Sequence, residues 1–395
     1  MPSPAVAAGG VPVDAFPRPR RPDLPVAYLH VPRTGGSTVK ETFQTTVGES
    51  ASLIDAHYYR PDPGVIRRLR FVEGHVNANW FARVLGPDWQ ANTFTVLREP
   101  IARVVSQARY LRARRRPGDP DLLRPVRDAD ALFERIPRLC DHQTKLLAGL
   151  DIDTRDVDAA TLHRARAVLQ SMTFGLTEHF DTTMALVCEH MRLWIARYGF
   201  ANVSPADTDR DLRGEEFLAA ARKHNRFDLE LDTFARALFE QRVRRHVEAL
   251  RSVTTADAPL THELYVQGHP VEDVVEVPSG LTTIRLAGWA LVDGEVADAV
   301  LVTIGDAVVP LAARLARPDA ARRSRDARHR HAGFLGHVAI PAGVNSIELA
   351  FFDRARGRRA AVRVKVHHGP AGRSRPLTRV RQLARAARRG SRQRR

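Results

Sequence analysis

The chain runs to 395 residues, 44% hydrophobic and 27% charged, a globular composition too long for one small core, so one large and one smaller domain are expected. Lys and Arg total 61 against 45 Asp and Glu, but ten of the arginines and no acid fall in residues 371–395, which leaves the rest only +6 of the +16 net charge. The basicity is mostly a tail, and global charge therefore singles out no polyanion-binding function.

Cys140 and Cys188 show neither metal-ligand spacing nor a CxxC pattern, which argues against a disulfide scaffold and a zinc knuckle and fits a reducing cytoplasm. No apolar run reaches 18 residues, and residues 1–24 lack a charged start leading into an apolar core. Neither a spanning helix nor a secretory signal is expected.

In chain order, residues 1–24 are rich in Pro, Ala and Gly and read as a disordered arm. Over 25–255, short β-type runs (Val26 to Val31, Asn92 to Leu97) alternate with helical patterns at Ser37 to Thr46, Ile101 to Arg115, Ala159 to Gln170, Thr182 to Tyr198, Glu215 to Lys223 and Leu231 to Leu250. Strands feeding directly into helices predict right-handed crossovers and an α/β fold, a parallel sheet covered by helices. From about Val266 the texture changes to strands broken by turn clusters: Thr282 to Ala287, Ala299 to Ile304, Phe334 to Ile340, Ser346 to Phe352 and Ala360 to Val366. That spacing predicts a smaller all-β sandwich domain over 266–369. The remainder, 370–395, sets Leu377, Val380, Leu383 and Ala384 at near-helical spacing among arginines, and a solvated basic tail is expected.

The segment from Ala27 to Phe43 carries the most chemistry. A strand ending at Val31 meets Pro32-Arg33-Thr34-Gly35-Gly36-Ser37-Thr38, and a helical run follows from Val39. A glycine pair lets backbone N–H groups turn inward and the new helix adds its positive end, so the turn suits a phosphate-like anion, with Arg33 adding a full charge. It is not a Walker A loop, because the first glycine of GxxxxGK[ST] is missing and no lysine precedes Ser37 or Thr38. Taken alone, the turn also fits a plain strand-to-helix connection.

A second segment narrows the choice. Phe94 to Leu97 reads as a buried strand, and Arg98-Glu99-Pro100 as its end turning into a helix with Pro100 in the first turn. Arg98 at the strand end and Ser106 two turns into the helix would converge on a second phosphate, one bringing a fork of charged donors and the other a hydroxyl. Two anion sites on successive strand ends suit a nucleotide with separated phosphates.

These residues carry a resemblance. His30 to Thr38 resembles the 5′-phosphosulfate loop of the sulfotransferases that use 3′-phosphoadenosine 5′-phosphosulfate (PAPS), and Thr95 to Gln107 resembles their 3′-phosphate segment, an R-x7-S arrangement with a following proline. Gly74-His75-Val76 resembles the G-H motif of the carbohydrate O-sulfotransferases of the heparan 2-O-sulfotransferase type. His142 to Gly149 resembles their Q-T-R-x-L-x-G stretch, and Phe174 to Phe180 and Asn225 to Asp228 resemble later landmarks. The likeness covers about residues 25–250, in order.

The resemblance implies transfer of a sulfuryl group from PAPS to a hydroxyl of a carbohydrate or glycolipid, on a P-loop-like parallel sheet and without a metal. It implies that the backbone of Thr34, Gly35 and Gly36 and the hydroxyls of Ser37 and Thr38 hold the 5′ end, that Arg98 and Ser106 hold the 3′-phosphate, and that His75 is the base. Arg33 stands where the family usually has a lysine that meets the departing oxygen; a guanidinium stabilises that charge but is a poor proton donor. An active enzyme is still expected, with Arg33→Ala collapsing turnover and Arg33→Lys retaining it.

Other positions are less telling. Arg109, Arg112, Arg114, Arg115 and Arg116 would line a cleft for an acidic sugar or form a solvated helix end, the plainer expectation, and Arg67, Arg68 and Arg70 share that ambiguity. His329 and His331, separated by one arginine, show no evident metal-ligand pattern with a carboxylate or cysteine, so no metal is expected there. The order of Gly288-Trp289-Ala290, Arg317 to Ala320, Ala332-Gly333-Phe334 and Pro341-Ala342-Gly343 resembles Ig-like modules appended to bacterial carbohydrate-active enzymes. Trp289 would be a sugar platform or, as the commoner case, core. The expected setting is the cytoplasm, with the tail touching anionic lipid at the inner membrane face and nucleic acid disfavoured. The alternatives are a P-loop-related nucleotide kinase and a non-enzymatic polyanion-binding protein.

Overall fold

The run Val26-Ala27-Tyr28-Leu29 is buried on both faces, as the central strand of a helix-covered parallel sheet must be. In the computed structural model, which describes residues 19–56, 62–113, 129–193, 195, 198, 211–253, 256–271, 273–277 and 281–368, this run is β1 (Val26–Leu29). Most of the expected arm, the whole basic tail, and Arg114, Arg115 and Arg116 lie outside the described residues. With β2 (Ser52–Leu53), β3 (Phe71–Gly74), β4 (Thr93–Leu97) and β5 (Thr173–Leu176) it forms a five-stranded sheet in the order β2-β3-β1-β4-β5, every pair parallel.

Around and between these strands run α1 (Gly36–Val47), α2 (Pro63–Arg67), α3 (Ala78–Leu85), α4 (Trp89–Asn92), α5 (Pro100–Ala113), α6 (Ala129–Arg135), α7 (His142–Leu147), α8 (Ala159–Ser171), α9 (Phe180–Met191), α10 (Glu215–His224) and α11 (Arg226–Val253). Strand residues alternate between two cores. Ala27 and Leu29 pack with Phe81 of α3, Leu169 of α8 and Leu231 of α11, while Val26 and Tyr28 pack with Phe43 of α1 and Met184 of α9. Helices thus cover both faces of the sheet, the α/β character that alternating strands and helices predict.

The helix expected over Thr182 to Tyr198 stops at Met191. Arg192 takes a left-handed φ of 49° and its amide closes onto the Cys188 and Glu189 carbonyls, which ends the helix. The short strands β3 and β5 were not expected, since four residues carrying a glutamate or a glycine give almost no periodic signal.

The second half builds a mixed sheet of eleven strands: β6 (Ala256–Asp257), β7 (Leu260–Val266), β8 (His269–Val271), β9 (Val274–Val277), β10 (Thr283–Val292), β11 (Glu295–Val296), β12 (Ala299–Ile304), β13 (Ala307–Leu315), β14 (Gly333–Ala339), β15 (Ser346–Asp353) and β16 (Arg358–His368). All pairings are antiparallel except those of β6 and β9 with β16, and α12 (Pro318–Ser324) interrupts the run between β13 and β14. Strand pairing begins at Ala256, ahead of the expected start at Val266. Its core is built from residues such as Ile284, Leu286, Val302, Leu349 and Phe351. Trp289 is only 5% exposed and its indole donates to Glu263 Oε2 at 2.8 Å, so it is a core residue and no sugar platform.

The two sheets share packing. Met184, Val187 and Met191 of α9 lie in one cluster with Ala312, Leu315 and Leu335 of the second sheet, and Val247 and Leu250 of α11 pack on Leu301 and Phe352. Asp181 on α9 accepts hydrogen bonds from the His337 amide at 2.9 Å and its Nδ1 at 3.0 Å. Among the described residues no helix is long and apolar enough to cross a membrane.

Candidate functional site

β1 and β4 are neighbours, yet the chain leaves β1 toward β2 on one side and leaves β4 toward β5 on the other. The crevice at their carboxyl ends is the topological switch point, where open α/β sheets bind ligands. Both segments singled out as anion-binding emerge there.

After β1 the chain turns through Arg33, at φ 72°, and Gly35, at φ 86°, before α1 begins at Gly36. No side chain caps the start of α1 and its first turn carries no acid, so its positive end is left to whatever enters the crevice. Gly35 lies against the Phe180 ring and Gly36 against the His30 imidazole, where an added Cβ would fall 1.7 Å from Nε2. Only glycine fits at 36. Thr34 is internally committed: its hydroxyl donates to the Val31 carbonyl at 2.8 Å. Ser37 is exposed, whereas Thr38 is buried.

After β4, α5 begins at Pro100 as expected, and its first amides are capped by the Glu99 carboxylate through the Ile101 and Ala102 N–H groups. Arg98 Nη1 donates to the Arg33 carbonyl at 3.1 Å, and Arg33 Nε donates to Ser106 Oγ at 3.1 Å. The Thr177 hydroxyl lies 3.0 Å from both the Thr34 and the Leu97 carbonyls and joins the two turns. The structure therefore brings Arg33, Arg98 and Ser106 together, and the Arg33 side chain reaches α5 instead of staying over its own loop. Arg109 and Arg112 are half-buried on the same helix, while Arg67, Arg68 and Arg70 are each exposed.

His75 follows β3, with its ring centroid 4.2 Å from that of His30. His30 Nδ1 makes a short hydrogen bond to Glu73 Oε1, and Glu73 Oε2 accepts from the Asp55 amide at 3.0 Å. Glu73 is fully buried, which pushes its carboxyl pKa up, but the His30 hydrogen bond and charge and the Asp55 amide pull it below the ordinary value. With Nδ1 turned to the Glu73 carboxylate, Nε2 of His30 lies over Gly36. His30, Glu73 and His75 also offer three ligand atoms within 4.8 Å of one another, a donor set for a divalent cation. Both Glu73 oxygens are, however, already engaged.

The downstream landmarks support this crevice from behind. The Gln143 side chain brackets the Arg98 main chain, accepting from its N–H at 3.0 Å and donating to its carbonyl at 2.9 Å. Asp228 accepts from the Gln143 and Thr144 amides, and Asp141 accepts from the Phe227 and Asp228 amides. Fully buried Arg103 lies 4.0 Å from Asp228. Glu73 and Tyr110 escaped the sequence reading, while His30, Gln143 and Thr177 lie inside the motifs it singles out but carry no role of their own there. A Glu-x-His pattern at the end of an apolar run was the one available signal, for Glu73. In comparisons with known proteins, no family model matches the chain and no curated sequence matches it.

Proposed function

We propose that the chain is a sulfotransferase that binds PAPS in the β1/β4 crevice and transfers its sulfuryl group to a hydroxyl of a carbohydrate or glycolipid. The observation that carries this reading is the convergence of Arg33, Arg98 and Ser106 beside the uncapped start of α1. Two guanidiniums, a hydroxyl and a helix end make a donor set for an elongated polyanion. The strand order and the glycine turn between β1 and α1 fit a P-loop-like sheet, and the second sheet fits an appended sandwich module.

PAPS supplies the group that is transferred; the residues supply position and proton handling. The first amides of α1, with the hydroxyls of Ser37 and Thr38, would receive the 5′ end, and Arg98 and Ser106 the 3′-phosphate. His75, partly exposed at the crevice, accepts the proton of the acceptor hydroxyl, and buried His30, held by Glu73, fixes the floor beneath it. Charge growing on the departing oxygen meets donors already oriented by the fold. The proposed setting is the cytoplasm, with the tail at the inner membrane face.

Transfer of radiolabelled sulfate from PAPS into a panel of cell-envelope sugars and lipids tests the reaction. Incorporation without added Mg²⁺ supports it; Mg²⁺-dependent phosphoryl transfer from ATP would favour the kinase reading instead. Retention on DNA but not on immobilised 3′,5′-bisphosphoadenosine at moderate salt would favour a polyanion-binding protein.

A further inference from the structure

We infer that Arg33 is a ligand of the 3′-phosphate and sets the preference for a 3′-phosphorylated nucleotide, although it belongs to the loop that serves the 5′ end. The inference rests on the proposed donor class and assigns one side chain within it.

Four observations lead there. The left-handed φ of 72° at Arg33 turns its side chain out of the loop, and Nε comes to Ser106 Oγ at 3.1 Å. The guanidinium carbon lies 5.0 Å from the centre of the Tyr110 ring, and Tyr110 stands one helical turn beyond Ser106 on the same face of α5. Arg98 Nη1 is tied to the Arg33 carbonyl, so the Arg98 guanidinium is held beside the Arg33 main chain. The start of α5 is closed by Glu99, so on this side of the crevice positive charge comes from guanidiniums, those of Arg33 and Arg98 with Arg109 near enough to act on Arg98, and not from a helix end.

The chemistry follows from the donor count. Ser106 Oγ accepts from Arg33 and so keeps its own proton to donate. A phosphate monoester offers three terminal oxygens, enough to accept from Arg33, Arg98 and the Ser106 hydroxyl at once. A planar guanidinium can lie on Tyr110 and still present its edge to phosphate; a lysine ammonium offers neither the flat face nor the fork. The arginine at this position is thereby accounted for: its charge is used at α5, while the 5′ end is left to the α1 amides.

The test is calorimetric titration of the full-length chain with 3′,5′-bisphosphoadenosine and with 5′-AMP. The wild-type chain should bind the bisphosphate more tightly. Arg33→Ala should weaken the bisphosphate by about 10- to 100-fold, the scale of a charged hydrogen bond, and leave 5′-AMP within a few-fold, so that discrimination collapses. Arg33→Lys and Tyr110→Leu, which disturb the loop less, should each reduce discrimination part-way and serve if the alanine variant does not fold. Equal losses for both nucleotides would place Arg33 at the 5′ end and overturn the inference while leaving the donor class standing. A wild-type chain that binds neither nucleotide would overturn both.

Discussion

Gln143 grips Arg98 by its main chain: the carboxamide oxygen accepts the Arg98 N–H and the carboxamide nitrogen donates to the Arg98 carbonyl, at 3.0 and 2.9 Å. Gln143 is itself 1% exposed and reaches Arg98 from α7. It is a positioning residue, holding the strand end that presents the Arg98 guanidinium. Gln143→Glu keeps the acceptor but sets a carboxylate oxygen against the Arg98 carbonyl, and should weaken bisphosphate binding about tenfold or more. Calorimetry checks it, and unchanged affinity would mean that the grip is irrelevant to the crevice.

His75 should act on turnover and not on nucleotide binding. His75→Ala should lower turnover by a factor on the order of 10² to 10⁴, the usual worth of a general base, with bisphosphate affinity unaltered. Turnover maintained in that variant would remove His75 from the proposed chemistry.

The donor set of His30, Glu73 and His75 makes metal dependence a measurable question. With the Glu73 oxygens held by His30 and the Asp55 amide, prolonged chelator treatment should leave both activity and melting temperature unchanged. Loss of activity on chelation, restored by a divalent transition metal, would instead make the cluster a metal centre.

Burial beside the Asp228 carboxylate pushes the Asp141 carboxyl up to about 7, against about 4 in an unfolded chain. Between those values the folded state keeps a proton that the unfolded state has lost. Stability should therefore fall as pH rises through that window and level off above it. Asp141→Asn retains an Oδ1 acceptor for the Phe227 and Asp228 amides and cannot titrate, so the wild-type minus variant difference in denaturation free energy should carry this slope. A flat difference from acid to neutral pH would contradict it.

The packing of α9 on β13 and β14 predicts that the two sheets unfold together. Leu315, 1% exposed in their common cluster, should cost about 2–5 kcal/mol on substitution by alanine. Calorimetry should give a single transition that moves down as one. Two transitions, only the later-chain one shifted, would show that the sheets are independent.

Local chemistry in the sequence determined a good deal of this protein. The buried runs of β1 and β4, the glycine turn after Val31, Pro100 in the first turn of α5, and α1, α8 and α10 to within one or two residues were all legible, because each depends on neighbours along the chain. Periodicity says which face is buried and not what it meets. The reach of Arg33 to Ser106 spans 73 residues, the grip of Gln143 on Arg98 spans 45, and the pairing of His30 with Glu73 spans 43. Those partners were chosen by the order β2-β3-β1-β4-β5, which set particular strand ends side by side, and by burial, which compels each enclosed polar group to find one.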